Sequence, residues 1–131
     1  MILKSEKALV SSSLEEIITY LSDAQNLWDL MPQDKISDWK ADTNECSFKV
    51  QGAIVITLIQ DGKEENKLFL KSGEKSPFPF RLTVHLSPLE EKTEGFIEFD
   101  GEVNMFLKMM VEKPLLALFN HMTQKLQEKF S

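Results

Sequence analysis

The stretch Asn104–Phe130, NMFLKMMVEKPLLALFNHMTQKLQEKF, decides the fold. Its apolar residues include Met105, Phe106, Leu107, Met109, Met110, Val111, Leu115, Leu118, Phe119, Met122, Leu126 and Phe130. They recur at helical spacing, which predicts one long, methionine-rich helix. At about 100° per residue, Leu115, Leu118, Phe119, Met122 and Leu126 share one stripe, and Phe106, Leu107, Met110 and Val111 fall about a quarter turn away from it. Pro114 stands at the changeover. Proline removes an amide donor and crowds the preceding turn, so a kink or break is expected near Lys113-Pro114.

Outward from this helix, the sequence before it has a period of two. Ile36–Ala41, Cys46–Val50, Ala53–Gln60, Glu65–Lys71, Phe80–Leu86 and Gly95–Val103 read as six strands. They are separated by Asp42-Thr43-Asn44, Gln51-Gly52, Asp61-Gly62, Ser76-Pro77, Ser87-Pro88 and Glu90-Glu91-Lys92. Connections this short favour antiparallel neighbours. Phe80, Leu82, Val84 and Leu86 alternate with Arg81, Thr83 and His85, so one face is dry and the other wet. Further upstream, Ile2–Val10 reads as a first strand. Ser12 with Glu15, or Ser13 with Glu16, forms a capping box before Leu14, Ile17, Ile18 and Leu21. Ser22-Asp23 ends that helix, and a short second helix, Ala24–Met31, closes at Pro32. A long helix after a run of antiparallel strands must bury its apolar stripe on the sheet. The expected fold is α+β, a curved antiparallel sheet of about seven strands in the order β-α-α-β6-α around the C-terminal helix.

Composition narrows the function. The 131 residues, 42% apolar, are expected to form one domain, 1–131. Fifteen basic residues stand against 21 acidic ones, net −6, and Arg81 is the only arginine. Bidentate reading of phosphates and bases leans on arginine, so no nucleic-acid partner is expected. Net acidity opposes anionic lipid surfaces, and no apolar run is long enough to insert in a bilayer. The lone Cys46 fits a reducing compartment, and MILKSEKALV lacks the features of a signal peptide, so a cytoplasmic protein is expected.

The element order is the helix-grip architecture, and its details resemble the START/Bet v 1-like superfamily (SRPBCC), in particular small bacterial polyketide cyclase/dehydrase-like members. The carriers are VSSSLEEIITYLSDAQNLWDLMP (10–32), FKVQG (48–52) and GEVN (101–104), within a likeness that covers essentially the whole chain. The resemblance implies a hydrophobic cavity between sheet and last helix. Members bind lipids, sterols, polyketides or plant hormones; others are cyclases or bind partner proteins. The superfamily has no universal catalytic residues to carry over.

No catalytic constellation stands out. His85 alternates with Val84 and Leu86 and should point to the wet face; His121 falls between the apolar and polar sides of the helix. One Cys and two isolated His do not make a zinc site. Cys46 shares its parity with Phe48 and Val50 and reads as core filling rather than a nucleophile. Glu98, Asp100 and Glu102 form a row opposite Ile97, Phe99 and Val103, and read as solvated carboxylates. The glycines form no phosphate loop, and no G-x-S-x-G is present. No metal, cofactor or catalytic residue is expected. The methionines are adaptable in shape, suited either to packed core or to contact with a guest. Spacing alone favours the core; the resemblance tips the reading to a pocket.

The expected activity is non-enzymatic binding of an apolar or aromatic small molecule, lipid- or polyketide-like, between sheet and C-terminal helix. The expected wall is Phe48, Phe69, Leu82, Val84, Ile97, Phe99, Met110, Leu118 and Met122, with Trp28 and Met31 at the mouth and Tyr20 and Thr57 as candidate polar anchors. One alternative is a cyclase- or dehydratase-type enzyme, which needs a titratable group pointing inward. Another is a protein-interaction module, marked by a filled interior and an exposed apolar patch. The protein is expected to be a monomer or homodimer, with an edge strand as one route to pairing.

Overall fold

The computed structural model describes residues 1–131. Its elements follow the expected α+β order: β1 (Ile2–Lys4), β2 (Ala8–Val10), α1 (Leu14–Leu21), a 3₁₀ segment (Ala24–Leu30), β3 (Ile36–Ala41), β4 (Glu45–Val50), β5 (Ile54–Glu64), β6 (Lys67–Ser72), β7 (Phe80–Leu89), β8 (Lys92–Gly101) and α2 (Met105–Lys129). Eight strands form one antiparallel sheet in the order β1-β8-β7-β6-β5-β4-β3, with β2 also paired to β8. The expected first strand is therefore two. It breaks at Ser5, whose hydroxyl accepts from the Ile97 amide at 2.8 Å while its own amide donates to the Ile97 carbonyl at 2.9 Å.

Local chemistry sets the helix starts. Ser13 caps α1 by accepting from the Glu16 amide at 3.2 Å; the Glu16 carboxylate takes the Ser12 hydroxyl at 2.9 Å. Asp23 caps the next segment, which is 3₁₀ rather than α-helical. Asn104 caps α2 through the Leu107 amide at 2.9 Å.

α2 runs for 25 residues through Pro114, so of the expected kink or break the break does not occur. An interior proline costs about 3 kcal/mol. Val111 and Leu115, on either side of it, are both buried and hold the helix through that position. The change of face is nevertheless present. Val111, Leu115, Leu118, Phe119, Met122 and Leu126 are buried, whereas Met105, Phe106, Met109 and Met110 face solvent.

Two expected turns are bulges or strand. β5 continues through Asp61-Gly62 to Glu64, with its register shifted where Gly62 takes φ 94°. β7 continues through Ser87-Pro88, and the reversal comes at Glu90, φ 58°. In β3 a further shift lies between Ser37 and Lys40, with Asp38 at φ 55°. The extra residue lets both Ile36 and Trp39 pack on the core.

The concave face follows from register. Cross-strand pairs Phe48↔Ile56, Leu70↔Leu82, Leu82↔Phe99 and Val84↔Ile97 all point inward and are buried. α2 packs along β2, β1, β8 and the 3₁₀ segment. It also covers the sheet edge: Asn120 and Gln127 accept from the Glu6 and Leu9 amides, both at 2.8 Å. No helix is long and apolar enough to cross a membrane.

Candidate functional site

Sheet, α1, the 3₁₀ segment and α2 enclose an apolar cavity of about 30 Å³. Leu21 comes from α1, Leu27 and Leu30 from the 3₁₀ segment, Leu68 and Leu70 from β6, Leu82 and Val84 from β7, and Gly95, Phe96 and Ile97 from β8; α2 adds Met122, Thr123 and Leu126. Such a volume holds about two water-sized spheres, and an apolar void of this kind stays dry. The one polar side chain of the wall is satisfied locally: the Thr123 hydroxyl donates to the Asn120 carbonyl at 3.0 Å.

Of the expected wall, Leu82, Val84, Ile97 and Met122 line this cavity. Phe48, Phe99 and Leu118 are buried beside it, not on it. Their rings show why the interior is nearly full. Phe99 contacts Phe78, Phe80 and Phe119 with centroids 5.3–6.1 Å apart, and Phe78 descends from the loop between β6 and β7. Phe99 lies so close over Gly101 that a Cβ there would meet its ring at 2.6 Å. At the far side, Trp28, Trp39 and Phe48 form a continuous aromatic ladder, with centroids 5.2 and 5.8 Å apart. Trp28 is half-buried; Met31 is fully buried core rather than an open mouth.

Two expected wall residues are elsewhere. Phe69 pairs with Thr83 on the outer face of the sheet. Leu68 and Leu70 take the inward positions, because strand parity admits either two leucines or one phenylalanine and two side chains bury more apolar surface. Met110 is on the solvent side of α2, 51% exposed. Nor are the suggested anchors inside. Thr57 lies opposite Ser47 on the outer face, where Gly73 packs against it; a Cβ on Gly73 would meet the Thr57 methyl at 2.9 Å. Tyr20 donates toward the Asn26 carbonyl and the Asp29 carboxylate, each at 3.1 Å, and meets Phe130 edge-on. Burial first, and Asp29 second, push its phenol well above the ordinary range.

Nine wall residues lie outside the expected set: Gly95, Phe96 and Thr123, and Leu21, Leu27, Leu30, Leu68, Leu70 and Leu126, each of these leucines being an apolar position of its own element. Which of them met across space was not visible in the sequence.

The remaining chemistry-bearing groups stay off the cavity. Burial pushes the Cys46 thiol up to about 12, so it is a neutral thiol at ordinary pH. His85 and Glu98 pair at 2.7 Å on the outer face, with the imidazole stacked on Phe96. His121 lies outside the wall, its Nε2 buried without a hydrogen-bond partner. No titratable side chain lines the cavity, so its wall offers no general acid or base.

No protein-family model matches the sequence, and a search of curated proteins gave no match. Solved structures do match. A START superfamily protein from Mycobacterium smegmatis superposes with TM-score 0.69 at 16% identity, over 98% of this chain and 96% of that one. A Thermus thermophilus protein gives TM-score 0.74 at 13% identity, over 99% and 97%. The protein XoxI from Bacillus cereus gives 0.68 at 13% identity, over 98% and 94%. With sheet order, gripped helix and near-complete superposition in agreement, the chain has the START-like helix-grip fold.

Proposed function

We propose that the protein is a non-enzymatic binder of small apolar molecules, and that the guest enters between the sheet, α2 and the 3₁₀ segment. The observation that carries this reading is the composition of the cavity wall. Apolar side chains from four different parts of the chain converge on one void, and no charge or unsatisfied polar group opposes an apolar guest. The START-like fold, carried by a START superfamily neighbour, supports the same reading. The lone buried Cys46 accords with a reducing, cytoplasmic setting.

At about 30 Å³ the cavity is small. Pockets for drug-sized ligands run to roughly 300 Å³ and more, so a guest must displace part of the wall. Movement of the 3₁₀ segment would supply that displacement. Its hydrogen-bond geometry is poorer than that of an α-helix. Its polar tethers include Ala24 N–H to the Thr43 carbonyl at 3.0 Å, Asn26 to the Tyr20 carbonyl at 2.9 Å, the Tyr20 hydroxyl to Asn26 and Asp29 at 3.1 Å, and the Asp29–Lys129 ion pair at 3.6 Å. Outward movement of Leu27 and Leu30 would open the void toward Trp28.

The test is titration with an apolar fluorescent dye of the anilinonaphthalene type. Leu27→Ala, which enlarges the void, should tighten uptake, and Val84→Phe, which fills it, should abolish uptake in a folded protein. Equal uptake by both variants would overturn the reading.

A further inference from the structure

The first two turns of α2 carry an arrangement that cavity binding does not explain. Met105, Phe106, Met109 and Met110 are 75%, 70%, 79% and 51% exposed, on the side of the helix opposite its buried stripe. At about 200 Å² for a fully exposed large side chain, these exposures amount to an apolar patch on the order of 550 Å². That is at the upper end of what a monomer leaves uncovered. We propose that a second copy of this chain covers it, through antiparallel, two-fold pairing of the α2 N-terminal turns. This proposal is independent of cavity binding.

The argument for a second copy is self-complementarity. Pairing about the midpoint between Leu107 and Lys108 sets Met105 against Met110 of the other copy, and Phe106 against Met109. One two-fold operation therefore matches apolar to apolar, twice over. Two such patches bury about 1,100 Å² together, just above the roughly 1,000 Å² expected of a specific interface. A weak, reversible dimer follows.

Other occupants fit less well. The patch is rimmed by Glu102 and Glu112 as well as Lys108 and Lys113, on a chain of net charge −6, so no attraction to an anionic bilayer adds to the apolar contact. Edge-strand pairing is hindered at β2, where Gln127 already takes the Leu9 amide, and is disfavoured at β3 by its bulge.

Sedimentation velocity from roughly 5 to 500 μM protein tests the pairing, with dissociation expected in the micromolar range. Met109→Glu should be monomeric throughout, with unchanged circular dichroism, because the side chain is already in solvent. A wild-type monomer at the highest concentration overturns the proposal, as does a dimer that survives Met109→Glu. Monomeric protein that floats with phosphatidylcholine vesicles would assign the patch to a bilayer instead.

Discussion

Replacing Leu27 by alanine probes the cavity and the 3₁₀ segment together. Leu27 is 2% exposed and contributes to the cavity wall. Its loss removes apolar burial worth about 2 kcal/mol. The surrounding sheet cannot collapse freely, since its pairs are fixed by register. A further void on the order of 60 Å³, at about 24 cal/mol per Å³, adds about 1.5 kcal/mol. The expected destabilisation is therefore about 3.5 kcal/mol. Urea unfolding followed by tryptophan fluorescence measures it directly, because the two tryptophans, Trp28 in the 3₁₀ segment and Trp39 in β3, stand in contact. The enlarged void is lined by leucine, valine, isoleucine and methionine, so benzene should bind in it and restore part of the loss. At a hundred times its dissociation constant the recovery is about 2.7 kcal/mol. Wild type, with its smaller void, should gain much less. A loss below about 1 kcal/mol, or equal benzene effects on both proteins, would refute the placement of Leu27 on the cavity wall.

The other predictions address individual features of the fold. Met122→Ala should cost about 2–5 kcal/mol, whereas Met110→Ala on the same helix should stay within about 0.5 kcal/mol; both are read from urea midpoints. Gly101→Ala forces Phe99 off its position and should cost about 1–3 kcal/mol, with loss of near-ultraviolet aromatic dichroism. For Cys46 the folded-state pKa is raised from 9.0 to about 12 by burial. The unfolded thiol therefore ionises first as pH rises. Stability from this group is complete below pH 9 and falls by about 1.4 kcal/mol per pH unit until pH 12. Comparing wild type with Cys46→Ala across that window isolates the slope, and equal slopes would contradict the burial.

The sequence by itself determined the elements and their order. Period-two alternation marked the strands, serine and aspartate side chains marked the helix starts, and the spacing of Leu115, Leu118, Phe119, Met122 and Leu126 marked the buried stripe of α2. These signals are local: each depends on neighbours within a turn or a strand pair. Where competing local signals met, the tertiary structure decided. Lys67–Lys71 offers Phe69 on one parity and Leu68 with Leu70 on the other, and only pairing with β7 chose the leucines. The β3 bulge at Asp38 brought Trp39 inward, onto Phe48. Pro114 suggested an interruption, but packing on both sides of it kept one helix. The cavity itself was least legible, because a void is what remains after side chains from separate elements have filled their shared space. Phe78 reaches the interior from a loop that carries no periodicity, and with Phe80, Phe99 and Phe119 it occupies volume that spacing along the chain left unassigned. A linear sequence records which side chains are apolar; only the folded arrangement fixes how much room they leave between them.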